Sequence, residues 1–184
     1  FYASNATHYI GCDPNPNTFA RYQKMIDFYD KLTGGKKTVQ MYNCGAEDLP
    51  WNEISNVDCA FTSPPYFSTE RYNEGGEKEE LQSWFKFNEY ESWRDNFYLP
   101  VSQKTLDSLS ETGIMMINIL DPKVKGKRYR SGDELVDMLR PHFMGQVGMR
   151  IMQHPQGASV FKDEDGNFDK EAMDEFMEKT YIEN

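Results

Sequence analysis

The stretch Gly113-Ile-Met-Met-Ile-Asn-Ile-Leu120 is a nearly continuous apolar run bounded by turn residues. A run of that length reads as a central strand buried on both faces, which requires a sheet with helices above and below it. The rest of the chain keeps the same rhythm. Strands are expected over 8–12, 38–42, 56–62 and 146–152. Asn15-Pro16-Asn17 signals a turn and a helix cap, and Phe19, Tyr22, Met25, Ile26 and Tyr29 then recur at helical spacing up to Gly34-Gly35. A helical pattern over 81–109 carries Trp84, Phe85, Phe87, Tyr90, Trp93 and Phe97, with Pro100 as its interruption, and another helix is expected over 133–143. Strands alternating with helices predict an α/β fold with a mostly parallel, doubly wound sheet.

The 184 residues suit a single domain, 1–184, whose end, 162–184, reads as an acidic amphipathic helix with Phe168, Met173, Phe176 and Met177 on one face. No apolar run approaches the roughly 20 residues that cross a bilayer, and no leader pattern opens the chain, so a cytoplasmic protein with no membrane partner is expected. The three cysteines, Cys12, Cys44 and Cys59, show no metal-ligand spacing and read as small core residues; no metal is expected. The net charge of -10 argues against a large phosphate-binding surface. One local exception is Lys123-Val-Lys-Gly-Lys-Arg-Tyr-Arg130, where Lys125, Lys127, Arg128 and Arg130 are either a solvated loop or phosphate contacts.

Ligands in open α/β sheets bind outside the carboxyl ends of the strands, which directs attention to three strand ends. Asp13, followed by Pro14, supplies a carboxylate of the kind that accepts from ribose hydroxyls, or else a simple turn residue. Gly45, Ala46, Glu47 and Asp48 form a loop whose backbone and acids suit the edge of a purine, or a solvated acidic loop. The third end, Thr62-Ser-Pro-Pro-Tyr-Phe67, is the most specific. Consecutive prolines stiffen the turn and restrict Ser63 before them. Ser63 and the Pro64 carbonyl are then two fixed acceptors for an exocyclic amino group, and Tyr66 a flat face for the base that bears it.

Thr62-Ser-Pro-Pro-Tyr66 resembles the catalytic motif of the S-adenosylmethionine-dependent amino-methyltransferases of DNA. Tyr9-Ile-Gly-Cys-Asp-Pro-Asn15 is similar to that family's second cofactor segment, and Gly45-Ala-Glu-Asp-Leu-Pro50 resembles its adenine-binding segment, in the family's order. The resemblance implies a Rossmann-like class I methyltransferase fold. It further implies S-adenosylmethionine held by Asp13, Pro14, Gly45, Ala46, Glu47, Asp48 and Ser63, with Ser63, Pro64, Pro65 and Tyr66 as the catalytic turn. Double-stranded DNA with a flipped cytosine or adenine is the implied substrate, touched also by Phe67 and the basic stretch, and a cognate restriction endonuclease is an implied partner. The family's glycine-rich first cofactor loop does not occur in the sequence and is expected ahead of Phe1. A second reading is a catalytically inactive, truncated relative that serves as an interaction or DNA-binding module. A third is methylation of RNA or of a protein amide.

Overall fold

The computed structural model describes residues 1–69, 71 and 74–148 of the 184. Local rules decide the first elements. Strand β1, His8–Cys12, ends at Asp13. Helix α1, Pro16–Thr33, starts where the Asn15 side chain accepts from the Asn17 amide at 2.9 Å and stops at Gly34, whose φ of 78° is open to glycine at no steric cost. Strand β2, Thr38–Tyr42, then pairs parallel with β1 from His8↔Thr38 to Cys12↔Tyr42.

Strand β3, Val57–Thr62, pairs parallel with β4, Leu109–Ile117. Their register shifts between Val57 and Cys59, and Gly113 is the residue that permits it, because a Cβ there would lie 2.5 Å from the Val57 carbonyl oxygen. A short antiparallel hairpin, β5 at Lys123–Val124 and β6 at Lys127–Arg128, completes the strands. Its turn runs through Lys125 at φ 47° and Gly126 at φ 85°, the left-handed pair of a tight hairpin turn. The fold is therefore α/β with short parallel and antiparallel sheets, three two-stranded ladders among the described residues.

Two expectations change here. Strand β4 is not buried on both faces: Ile114 and Met116, which share one face, are each 48% exposed, while Met115 and Ile117 on the other face are half-buried. The helix expected over 81–109 is divided into α2, Ser83–Lys86, and, after a non-helical step at 87–89, α3, Tyr90–Trp93, a π turn, Arg94–Tyr98, and α4, Leu99–Asp107. Pro100 does not break this run. It falls in the first turn of α4, where its missing N–H and its clash with the fourth carbonyl back are absorbed by the wider π turn ahead of it.

The core is aromatic and lies beside the end of β3. Phe67, Tyr90, Trp93, Phe97 and Tyr98 are buried together, and Val124, Tyr129 and Leu135 pack against them. Trp93 stacks on Tyr98 with centroids 4.7 Å apart, and Tyr90 on Tyr129 at 3.9 Å. The Trp93–Tyr98 pair lies in the range of separations where aromatic pairs add about 0.5–1.5 kcal/mol beyond the area they bury. Helix α5, Ser131–Met138, is tied to α3 where the Tyr90 hydroxyl donates to Glu134 at 2.6 Å. It is shorter than expected, giving way to a 3-10 turn at Arg140–His142.

These elements belong to a unit of Phe1–Phe143. A second unit begins at Met144; its residues 144–148 carry no strand, and the rest of the strand expected over 146–152, like the helix expected over 162–184, lies outside the described residues.

Candidate functional site

Three strand ends meet at one cavity of about 630 Å³. Cys12, Asp13, Pro14 and Asn15 line it from the end of β1, Gly45, Ala46 and Glu47 from the loop after β2, and Thr62, Ser63, Pro64 and Pro65 from the end of β3. Tyr98, Ser102 and Thr105, on the turn of π helix and α4, form a further wall. Residues as far apart in sequence as Cys12 and Thr105 thus share one hollow, and its size falls inside the roughly 300–1,000 Å³ of small-molecule sites.

Asp13 is both a turn residue and a site residue. One carboxylate oxygen accepts from the Asn15 amide at 2.8 Å, which sets the turn into α1; the other has no hydrogen-bond partner among the described residues. Burial pushes the Asp13 carboxyl above its ordinary value, and the Asn15 hydrogen bond only partly opposes this. The side chain is therefore a half-buried carboxylate that lines the cavity with one oxygen open to donors. Its neighbour Cys12 is pushed up to about 12, by burial first and then by the charges of Cys44, Glu47 and Asp13, and burial likewise raises Cys44. Neither thiol is a nucleophile at neutral pH. Cys59, expected in the core, is exposed on β3.

The loop after β2 folds as a single 3-10 turn, Ala46–Asp48. The Gly45 carbonyl accepts from the Asp48 amide at 3.0 Å, and the Ala46 carbonyl from the Trp51 indole N–H at 2.9 Å. The Ala46 carbonyl also accepts from the Leu49 amide at 3.5 Å, so what the loop offers a ligand is one lone pair on the Gly45 carbonyl and the amide N–H groups of Ala46 and Glu47, which have no partner among the described residues. A Cβ at Gly45 would meet the Glu47 carboxylate, so a side chain there requires that carboxylate to shift. That carboxylate is fixed by Lys86 of α2, whose Nζ lies 2.7 Å from Glu47 Oε1 and 3.5 Å from Asp48. Burial pulls the Lys86 ammonium down, but the Glu47 hydrogen bond and the charges of Glu47 and Asp48 outweigh it and hold the group above its ordinary value. Asp48 itself faces outward, with a side chain 61% exposed, and does not line the cavity.

At the end of β3 the turn is held on both sides. The Pro65 carbonyl accepts from the Phe67 amide at 2.8 Å and the Tyr66 carbonyl from Thr69 at 3.1 Å, while the Pro64 carbonyl accepts nothing among the described residues. Ser63 is exposed at the cavity rim, and Tyr66 is half-buried with its hydroxyl 2.8 Å from Asn118. Phe67 departs from expectation. At 3% exposure it has no face to offer a nucleic acid; its ring packs edge-on against Tyr90 at 5.7 Å and against Trp93 at 6.0 Å. Its φ of 54° turns the chain sharply inward, so Phe67 anchors the turn to the core.

The basic stretch forms the hairpin already described, with Lys125, Lys127, Arg128 and Arg130 exposed and Val124 and Tyr129 fixing its base to the core that holds Phe67. Lys127 sits over the Tyr129 ring at 4.3 Å and 3.9 Å from Glu91, and Arg130 pairs with Asp133. Lys125 and Arg128 carry no ion pair among the described residues.

Lys86 and Asn118 escaped the reading of the sequence. Nothing in local spacing marks a lysine 39 residues from its carboxylate, but Asn118 did leave a trace as the single polar residue within the apolar run 113–120. No helix among the described residues is long and apolar enough to cross a membrane. Comparison with protein-family models, curated proteins and solved structures returns no match.

Proposed function

We propose that this chain transfers a methyl group from S-adenosylmethionine to the exocyclic amino group of a DNA base, cytosine N4 or adenine N6, on a Rossmann-like class I methyltransferase fold. The observation that carries the proposal is the convergence of Asp13, the Gly45–Glu47 turn and Ser63-Pro64-Pro65 on one cavity of about 630 Å³. The residues present fit the cofactor: Asp13 keeps a free carboxylate oxygen for ribose hydroxyls and suits a cationic ligand, and the Ala46 and Glu47 amides are unpaired donors of the kind a purine edge needs. S-adenosylmethionine, when bound, supplies an electrophilic methyl group on a sulfonium.

The chain's own contribution is placement. Ser63 Oγ and the open Pro64 carbonyl accept the two amino hydrogens of the target, which turns the nitrogen lone pair out of the base plane. Pro64-Pro65 keep those acceptors from moving apart, and the Tyr66 ring stacks on the base, worth roughly 1–3 kcal/mol. Orientation of this kind supplies up to about 7–11 kcal/mol of barrier reduction in favourable cases. Lys125, Lys127 and Arg128 on the hairpin are the proposed contacts to the DNA backbone. The proposal carries with it a cytoplasmic setting and a cognate endonuclease as partner.

The test is transfer of radiolabelled methyl groups to double-stranded DNA by the full-length protein, followed by identification of the modified nucleoside. Ser63→Ala and Tyr66→Ala are expected to abolish transfer and spare cofactor binding measured by calorimetry. Retained activity in both variants overturns the catalytic assignment. Absence of S-adenosylmethionine binding by the full-length protein overturns the enzyme and favours a non-catalytic interaction module, a reading to which the separate β1–β2 and β3–β4 ladders lend some weight.

A further inference from the structure

Asn118 lies one residue past β4, with its backbone amide donating to the Thr62 carbonyl at 2.9 Å. Its side-chain nitrogen donates to Ser63 Oγ at 3.2 Å and to the Tyr66 hydroxyl at 2.8 Å. Among the described residues these are the sole hydrogen bonds made by either hydroxyl. We infer that Asn118 is a positioning residue that fixes the Ser63 acceptor and the Tyr66 ring relative to one another before a base arrives. The inference deepens the proposed function and rests on it.

A primary amide nitrogen has two N–H groups, and here one is given to each hydroxyl. Ser63 Oγ has therefore received one hydrogen bond, its own proton points away from Asn118, and one lone pair is left for an incoming amino hydrogen. Tyr66 is pinned at its hydroxyl, so the long axis of the ring is set. Pro64-Pro65 stiffen the backbone between the two residues. Asn118 closes the remaining side from the neighbouring strand, and the acceptor and the platform become parts of one rigid frame. A misplacement on the order of 1 Å in such a frame costs about 100-fold in rate.

The experiment uses steady-state methyl transfer to DNA by the full-length protein, with kcat and the KM for S-adenosylmethionine measured separately. Asn118→Ala is expected to lower kcat by about 10- to 100-fold and to leave that KM within about 2-fold, since Asn118 itself does not line the cavity and Asp13 and the Gly45–Glu47 turn keep their places. Tyr66→Phe, which removes one end of the tether and keeps the packing, serves if Asn118→Ala does not fold, with an expected kcat loss of about 3- to 10-fold. In the double variant the two losses are expected to combine to less than their product, because both act through one hydrogen bond. A kcat for Asn118→Ala or Tyr66→Phe within 2-fold of the wild type overturns the inference, as do losses that multiply independently. A wild-type protein that transfers no methyl group overturns the proposed function and this inference with it, an outcome read before any variant is compared.

Discussion

Replacing Phe67 by alanine and, separately, by glycine measures two opposed contributions at one residue. The ring is 3% exposed between Tyr90 and Trp93, and truncation of a phenylalanine in such a place costs about 3–5 kcal/mol in transfer and cavity energy. The backbone at φ 54° costs any residue with a Cβ about 1–2 kcal/mol, which the buried ring offsets in the native protein and which alanine still bears. Glycine is relieved of that strain but loses about 0.4–1 kcal/mol through the greater freedom of its unfolded chain. At ordinary positions glycine is the less stable of the two. Here the order reverses, with Phe67→Gly expected ahead of Phe67→Ala by about 0.8 kcal/mol at the middle of both ranges. Urea unfolding gives the answer directly: with a common slope of about 2 kcal/mol/M, the midpoints differ by about 0.4 M. Phe67→Gly falling below Phe67→Ala by about 0.4–1 kcal/mol would refute the left-handed anchor, and a Phe67→Ala cost under about 1 kcal/mol would refute its burial.

Asp13→Asn keeps the acceptor for the Asn15 amide and removes the buried charge. The raised carboxyl lends stability that is complete below its unfolded value of about 3.9 and is lost as pH rises through the higher folded value, so at pH 7 the charge is a cost. Thermal melts at pH 7 are expected to show Asp13→Asn no less stable than the wild type, while calorimetry shows weaker S-adenosylmethionine binding by about 10- to 100-fold; a less stable variant contradicts the account. Alkylation at pH 8 followed by peptide mass spectrometry is expected to label exposed Cys59 first and Cys12, held up to about 12, last; equal rates would contradict the burial of Cys12. Lys125→Ala and Arg128→Ala together are expected to reduce the salt dependence of DNA binding by about 0.9 in logarithmic slope per lost phosphate contact, and an unchanged slope removes the hairpin from the interface.

What was legible in the sequence is what local chemistry decides. The Asn15 cap, the Gly34 stop and the bounds of β1 and β2 follow from neighbours within a turn, and they stand where the pattern put them. The three strand-end segments could be read as one site because the carboxyl ends of parallel strands lie on one side, and they do line one cavity. Phe67 was misread because its partners, Tyr90 and Trp93, come from a helix more than 20 residues away, and no local signal separates an aromatic that stacks on a ligand from one that anchors a turn. The same distance hid Asn118, whose bonds span 55 and 52 residues. Pro100 announced a break and produced a π turn, because the helices around it had enough packing to carry the chain through.

The burial of Trp93 gives the protein an optical handle. Its indole is fully buried, and its Nε1 is a buried side-chain donor without a partner among the described residues. An indole with neither water nor an acceptor around it emits at short wavelength, and its shift to the red on unfolding reports the integrity of the aromatic core. Trp51 stands in the opposite situation, half-buried and bonded through its indole N–H to the Ala46 carbonyl, so its emission lies further to the red than that of Trp93. A variant that keeps Trp93 alone would let the folding of this chain be followed by light, without any label attached.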